Sequence, residues 1–283
     1  MMRTALALAM ALSPLAAAGA AQERVVSLGG SVTEIIAALG EDDRLVGRDT
    51  TSTEPPAIRA LPDLGYVRRL SPEGVLSVRP DLILAEEGAG PPGTIELLQA
   101  GGVRLVTVPE ARDAAGLARK IMVIGEALGT EEQAEALATR VTEELAQVTA
   151  AVEGGAPARV LFVLSAEGGR ILASGRNTAA DAMIRLAGGV NAIEGFEGYK
   201  PVTDEALAAA APEVIVLMDR GAADPEGELK DSKAIAQLLS QPALAATPAG
   251  RAGRVVRMDG LYLLGFGPRT GAAAHDLAAA LAE

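Results

Sequence analysis

The 283-residue sequence has no cysteine, no tryptophan and one histidine, and its aromatic content is only 2%, from three tyrosines and three phenylalanines. Without cysteine there is no disulfide framework, no thiolate metal site and no thiol for a lipid anchor. One histidine is too few for the His-rich ligand sets of zinc or manganese carriers. Positive charge is scarce as well, with 25 Lys and Arg against 37 Asp and Glu and a net charge of −12. That balance argues against nucleic-acid binding, which needs clustered cations on phosphates, and against docking on an anionic lipid surface. Beyond the N-terminal segment no stretch is long and apolar enough for a membrane helix, so the chain is not expected to be membrane-embedded.

What is present is a globular composition, 49% hydrophobic and 22% charged, in a length that suits one large domain or two lobes. The N-terminus reads as a secretion signal over residues 1–21. Met1-Met2-Arg3 supplies the positive start, Ala5 to Leu12 the short apolar core, and Ala18-Gly19-Ala20 the cleavage site. The mature chain is expected to begin near Ala21 or Gln22, as a periplasmic protein with no lipid anchor.

From Arg24 onward, short β-rich runs alternate with helical patterns, which predicts an α/β chain with mainly parallel sheets. Strands are expected at Arg24–Leu28, Asp81–Ala85, Arg104–Val108, Val160–Leu164 and Val214–Leu217. Ser31 and Glu34 have the spacing of a capping box, and Gly40 closes the helix that they open. An internal repeat pairs GYVRRLSPEGVLSVRPDLIL, from Gly65, with GYKPVTDEALAAAAPEVIVL, from Gly198. Each copy reads as a Gly-Tyr loop, a capped helix, a proline stop and a buried strand, with Ser71 matching Thr203 and Glu73 matching Glu205. The repeat predicts two similar lobes, residues 22–127 and 155–283. They are joined by a connecting helix over 128–154 within a helical stretch from about Asp113 to Glu153, broken once near Gly125–Thr130. The piece after the break, Thr130 to Val152, reaches about 35 Å, enough to bridge lobes. The two Gly-Tyr loops would then face an inter-lobe cleft, which is a common ligand site.

Catalytic signatures are weak. Gly29-Gly30-Ser31 is no nucleophile elbow, GFGPRTG departs from the dinucleotide fingerprint, and a His-based triad would have to use His275 in a C-terminal helix pattern. A binding protein is expected, not an enzyme.

With RVVSLGGSVTEIIAALG, LGYVRRLSPEGVLSVRPDLIL, ASGRNTAADAMIRLAGGVNA, GYKPVTDEALAAAAPEVIVL and LLGFGPRTGAAA in this order, the chain resembles the periplasmic haem-binding proteins of bacterial ABC importers. They sit within a wider class of siderophore, cobalamin and haem carriers with a rigid inter-lobe helix. The resemblance implies that Tyr66 ligates the iron of a ferric haem b carried as cargo, a hard phenolate oxygen on a hard metal. Arg68, two residues on, would lie on the same side of an extended loop and stabilise the phenolate, with Arg69 turned to a propionate or to solvent. Tyr199 matches Tyr66 through the repeat, and would line the haem face, ligate a second haem, or simply wedge its loop. Lys200, Arg176 before a helix cap at Asn177, and Arg269 are candidate propionate partners, or structural ion-pair partners in the case of the two arginines. The loop Ser165-Ala166-Glu167-Gly168-Gly169 lacks the histidine that accompanies stacked double haem in some relatives. Glu73 and Glu205, one per lobe, would dock on the permease dimer that works with its ATPase subunits, or simply favour their helix dipoles. The protein itself is expected to be a monomer. The rival cargo on the same scaffold is a siderophore or cobalamin.

Overall fold

A computed structural model gives the fold, and its description covers residues 23–167, 170–219 and 235–283. The expected signal segment, residues 1–21, lies outside the described residues.

The first lobe is built on a four-stranded parallel sheet. Its strands are β1 (Val25–Leu28), β2 (Leu45–Arg48), β3 (Leu82–Glu86) and β4 (Arg104–Val108), in the order β2-β1-β3-β4. Helices α1 (Gly30–Ala38), α2 (Pro72–Ser77), α3 (Pro92–Ala100) and α4 (Ala114–Leu128) connect and follow them. β1 and most of β3 are buried, reading as the continuous apolar runs of a strand covered on both faces.

The second lobe repeats this plan. Strand β5 (Arg159–Glu167) pairs in parallel with β7 (Val190–Asn191) and β9 (Val214–Asp219), and β9 with β10 (Val255–Asp259). This order, β7-β5-β9-β10, mirrors that of the first lobe. Two antiparallel strands extend the sheet, β6 (Arg170–Ser174) on β5 and β8 (Tyr199–Val202) on β6. Around it lie α6 (Ala179–Leu186), α7 (Asp204–Ala210), α8 (Pro242–Ala245), α9 (Pro248–Ala252), α10 (Gly260–Leu264) and α11 (Thr270–Ala282). The repeat seen in the sequence is thus a repeat of structure. Ser71 caps α2 by accepting from the Gly74 amide at 2.9 Å, and Thr203 caps α7 by accepting from the Ala206 amide at 3.2 Å. Each helix leads into a strand beside the first strand of its own sheet, β3 and β9.

Helix α5 (Glu131–Val152) joins the halves, 22 residues or about 33 Å long. Ala134, Leu137, Val141, Leu145 and Val148 are buried along it at helical spacing, packing on α4 at one end and on α6 and α11 further on. Gly125 in α4 lies so close to Ala134 that a Cβ there would collide with it, so the two helices cross in near-backbone contact. One continuous cluster of buried side chains runs from Val25 and Ile35 through α4 and α5 to Phe162 and Leu277. The lobes therefore share an apolar seam instead of touching only at their rims.

Three local expectations differ from the structure. Gly29, not Ser31, precedes the first turn of α1, and Ser31 and Glu34 lie buried in the helix bonded to distant residues. The helix after β6 is capped by Thr178, whose hydroxyl accepts from the Asp181 amide at 3.0 Å, while Asn177 sits before it at φ 58°. Finally, Ser165–Glu167 is strand, the end of β5, because the antiparallel β6 supplies a pairing edge; Gly168 and Gly169 lie outside the described residues.

Candidate functional site

In open α/β sheets, ligands bind beyond the carboxyl ends of the strands. In the first lobe those ends are Gly29 after β1, the Glu86–Gly88 turn after β3 and the Glu110–Asp113 segment after β4. The Tyr66 loop joins them. Gly65, at φ 98°, bends the chain where other residues are strained, and the Thr50 amide donates to its carbonyl at 3.0 Å. Tyr66 follows as the first residue of a tight turn closed by the Arg69 amide on the Tyr66 carbonyl at 2.7 Å. Val67 and Leu70 anchor the turn in an apolar cluster, and both exchange backbone hydrogen bonds with Gly90 at 2.9 Å. The result is a rigidly held loop that presents Tyr66 outward, 45% exposed, with its hydroxyl bonded to none of the described residues.

Because the loop is a turn and not extended, Arg68 is oriented differently from the simple two-residue alternation. Its Nη1 donates to the Gly88 carbonyl at 3.0 Å, and its Nη2 lies 3.8 Å from Glu110 Oε1. Glu110 Oε2 in turn accepts from Arg112 Nη2 at 2.7 Å. A cavity of about 400 Å³ opens beside this chain of charges, lined by Glu87, Gly88, Glu110, Arg112, Asp113, Gly116 and Arg119. Arg69 is exposed and has no ion-pair partner among the described residues.

Beneath lies a buried charged seam. Lys120 of α4 is 1% exposed; its Nζ donates to Ser31 Oγ at 2.6 Å and to the Gly265 carbonyl at 3.1 Å, tying first-lobe helices to the second lobe. Burial pushes the Lys120 ammonium below its ordinary pKa, and the Glu86 carboxylate pulls it partly back. Glu86 is raised by burial and held down by Lys120 and then Arg68. A second tie crosses nearby, where the Arg269 guanidinium grips Glu34, with Nε at 3.2 Å from Oε2, and stacks 5.0 Å over the Tyr262 ring. Arg269 is thereby committed to joining the lobes.

On the second lobe, Tyr199 opens β8 and is partly buried, packing edge-on against Phe162 at 6.2 Å between centroids. Burial raises its phenol, the Ala180 amide and the Thr178 hydroxyl pull it back, and the charges of Glu110 and Arg112 on the first lobe also reach it. Lys200 is exposed and stands 5.5 Å over the Phe196 ring, and Arg176, also exposed, pairs through its backbone with Phe196 and Gly198. Glu73 and Glu205 are exposed in the first turns of α2 and α7. The Glu205 carboxyl is held low by its own backbone N–H and the Thr203 hydroxyl. His275 lies on the surface of α11, 3.3 Å from Asp276, away from these groups.

The structure thus gathers Tyr66, Arg68 and Arg69 at one strand-end surface and brings Tyr199 within electrostatic reach of it. Sequence reasoning missed Glu110, Arg112, Arg119 and the Lys120–Glu86 pair. The available signal was position: Pro109-Glu110-Ala111-Arg112 directly follows a strand of a parallel sheet, at the end where ligands bind.

The profile of the periplasmic binding protein family matches residues 25–261. Among solved structures, the fold is similar to the periplasmic heme-binding protein BhuT in complex with two hemes, at 45% identity and TM-score 0.84, covering 92% of this chain and 97% of that one. It is similar also to the periplasmic heme-binding protein RhuT from Roseiflexus sp. RS-1 in apo form, at 41% identity and TM-score 0.85, covering 92% and 98%. Among curated relatives, an uncharacterized ABC transporter substrate-binding lipoprotein, YvrC of Bacillus subtilis strain 168, is 29% identical over 201 residues. That match covers 70% of this chain but 64% of the relative, less than two thirds of its length. Vitamin B12-binding proteins also match.

Proposed function

The chain belongs to the periplasmic binding protein family, and we propose that within it the protein binds haem in the inter-lobe cleft and delivers it to an ABC-type importer. The observation that carries this reading is Tyr66, an exposed phenol on a pinned turn whose hydroxyl has no partner among the described residues. Its likeness to haem carriers over nine tenths of the chain supports the same cargo.

The donor chemistry fits ferric haem b. A phenolate oxygen is a hard donor suited to ferric iron, and the guanidiniums around the loop favour the negative charge it carries there. Arg68 and Arg69 lie on the loop itself, and Arg112 and Arg119 on the cavity beside it. Lys200 and Arg176 are available to propionates from the second lobe; Arg269, spent on Glu34, keeps the lobes together instead. Tyr199 lines the opposite wall. The lobes, 22–127 and 155–283, joined through 128–154 and sewn together by Lys120 and Arg269, move little relative to each other, so release follows a small parting imposed from outside. The permease imposes it through Glu73 and Glu205, one per lobe. The exported mature chain works as a monomeric carrier and not as an enzyme.

The competing reading, cobalamin or a ferric siderophore on the same scaffold, draws on the vitamin B12-binding relatives. Equilibrium titration of the mature protein with hemin, cyanocobalamin and a ferric hydroxamate separates them. Saturable hemin binding with neither of the others is expected; saturable cobalamin or siderophore binding without hemin would replace the proposal.

A further inference from the structure

Three carboxylates line the cavity beside the Arg68–Glu110–Arg112 chain, and two are occupied by the backbone. Asp113 Oδ1 caps α4 by accepting from the Gly116 amide at 2.6 Å, and Glu87 Oε2 accepts from the Glu110 amide at 3.2 Å. The Glu110 carboxylate differs: among the described residues its partners are guanidiniums alone, Arg112 at 2.7 Å and Arg68 at 3.8 Å. All three side chains are well exposed, so these pairs are weak and readily exchanged. Arg119, on the same wall, has no ion-pair partner among the described residues. The Glu110–Arg112 pair directly follows the carboxyl end of β4, the side of the first lobe's sheet where ligands bind.

We infer that Glu110 is a built-in competitor for the ligand's carboxylates. Resting on the haem reading above, the inference adds a specificity-determining residue to it. A porphyrin propionate is a carboxylate of the same charge and geometry as the Glu110 side chain, and it takes Arg112 and Arg68 by displacing that side chain into solvent. Binding is then an exchange of one carboxylate for another. Affinity is lower than two open guanidiniums would give, and Glu110 stands ready to retake them when the lobes part, which speeds release.

The test is hemin binding, with affinity and dissociation rate measured for wild type and Glu110→Gln, repeated with hemin dimethyl ester, which keeps the iron and lacks free carboxylates. Freeing two exposed guanidiniums should tighten hemin binding by about three- to tenfold, mainly through slower dissociation. With the dimethyl ester the two proteins should bind alike. An unchanged or weaker affinity of Glu110→Gln for hemin overturns the inference while leaving haem binding in place. So does an equal gain with the ester, which would mean a general effect of charge. A wild type that takes up no hemin removes the haem reading, and this inference with it.

Discussion

Replacing Lys120 by methionine keeps the aliphatic stem and deletes the ammonium. In the native protein that ammonium is buried, donates to Ser31 Oγ and the Gly265 carbonyl, and faces Glu86. Its loss leaves the Ser31 hydroxyl and the Gly265 carbonyl without their donor, about 1–3 kcal/mol for each buried group, and removes the cation that most offsets the burial of Glu86. Glu86 keeps some exposure, so the low part of that range applies, about 3 kcal/mol near neutral pH, or roughly 6–12 °C in Tm for a chain of this size. The pH dependence has a definite sign. Glu86 has a raised carboxyl in the folded state, so its contribution is full in acid and is lost as pH rises from the ordinary carboxylate range through the raised value. Losing Lys120 raises it further, so the deficit of Lys120→Met should shrink as the pH falls toward the ordinary carboxylate range. Lys120→Met/Glu86→Gln should recover part of the loss, since the stranded charge is gone. Urea unfolding followed by far-UV circular dichroism is the suitable assay, as the chain has no tryptophan. A single variant within about 1 kcal/mol of wild type, or a double variant no better than the single, would refute the reasoning.

Glu34→Gln should flatten the pH dependence of Tm. Burial raises the Glu34 carboxyl despite Arg269, so wild type loses that contribution as pH rises through the raised value, whereas the amide does not titrate; parallel Tm profiles would count against it. Ser71→Ala should cost about 1 kcal/mol by uncapping α2, read from the urea midpoint, and no change would mean the cap is idle. Glu73→Lys with Glu205→Lys should cut importer-dependent haem uptake in cells while leaving hemin affinity in vitro unchanged; normal uptake would remove the docking role.

The duplicated plan was legible because it is local. Ser71 and Thr203 each sit one residue before their helix, the strand apolar runs follow at once, and α5 carries its buried stripe at helical spacing. The errors arose where tertiary partners override a local motif. Ser31 and Glu34 have capping-box spacing, but Lys120, 89 residues away, takes the serine, and Arg269, 235 residues away, takes the glutamate. Asn177 looked like a cap because asparagine suits caps, yet it also tolerates positive φ, and Thr178 has the bonded hydroxyl. The Tyr66 loop illustrates both cases. Its glycine, tyrosine and arginines were readable, but the direction of Arg68 was not, because it depends on a turn closed by Arg69 and on Glu110 arriving from the end of another strand. The β6–β8 pair, which positions Tyr199, gave only short and weakly alternating runs.

The central claim is that the Tyr66 phenolate binds ferric haem iron. Absorbance and electron paramagnetic resonance of the hemin complex, recorded for wild type and Tyr66→Phe at equal loading, test it most directly. The account predicts a high-spin ferric tyrosinate signature in wild type, and in the phenylalanine variant its loss together with weaker hemin binding. The same signature in both proteins would contradict it.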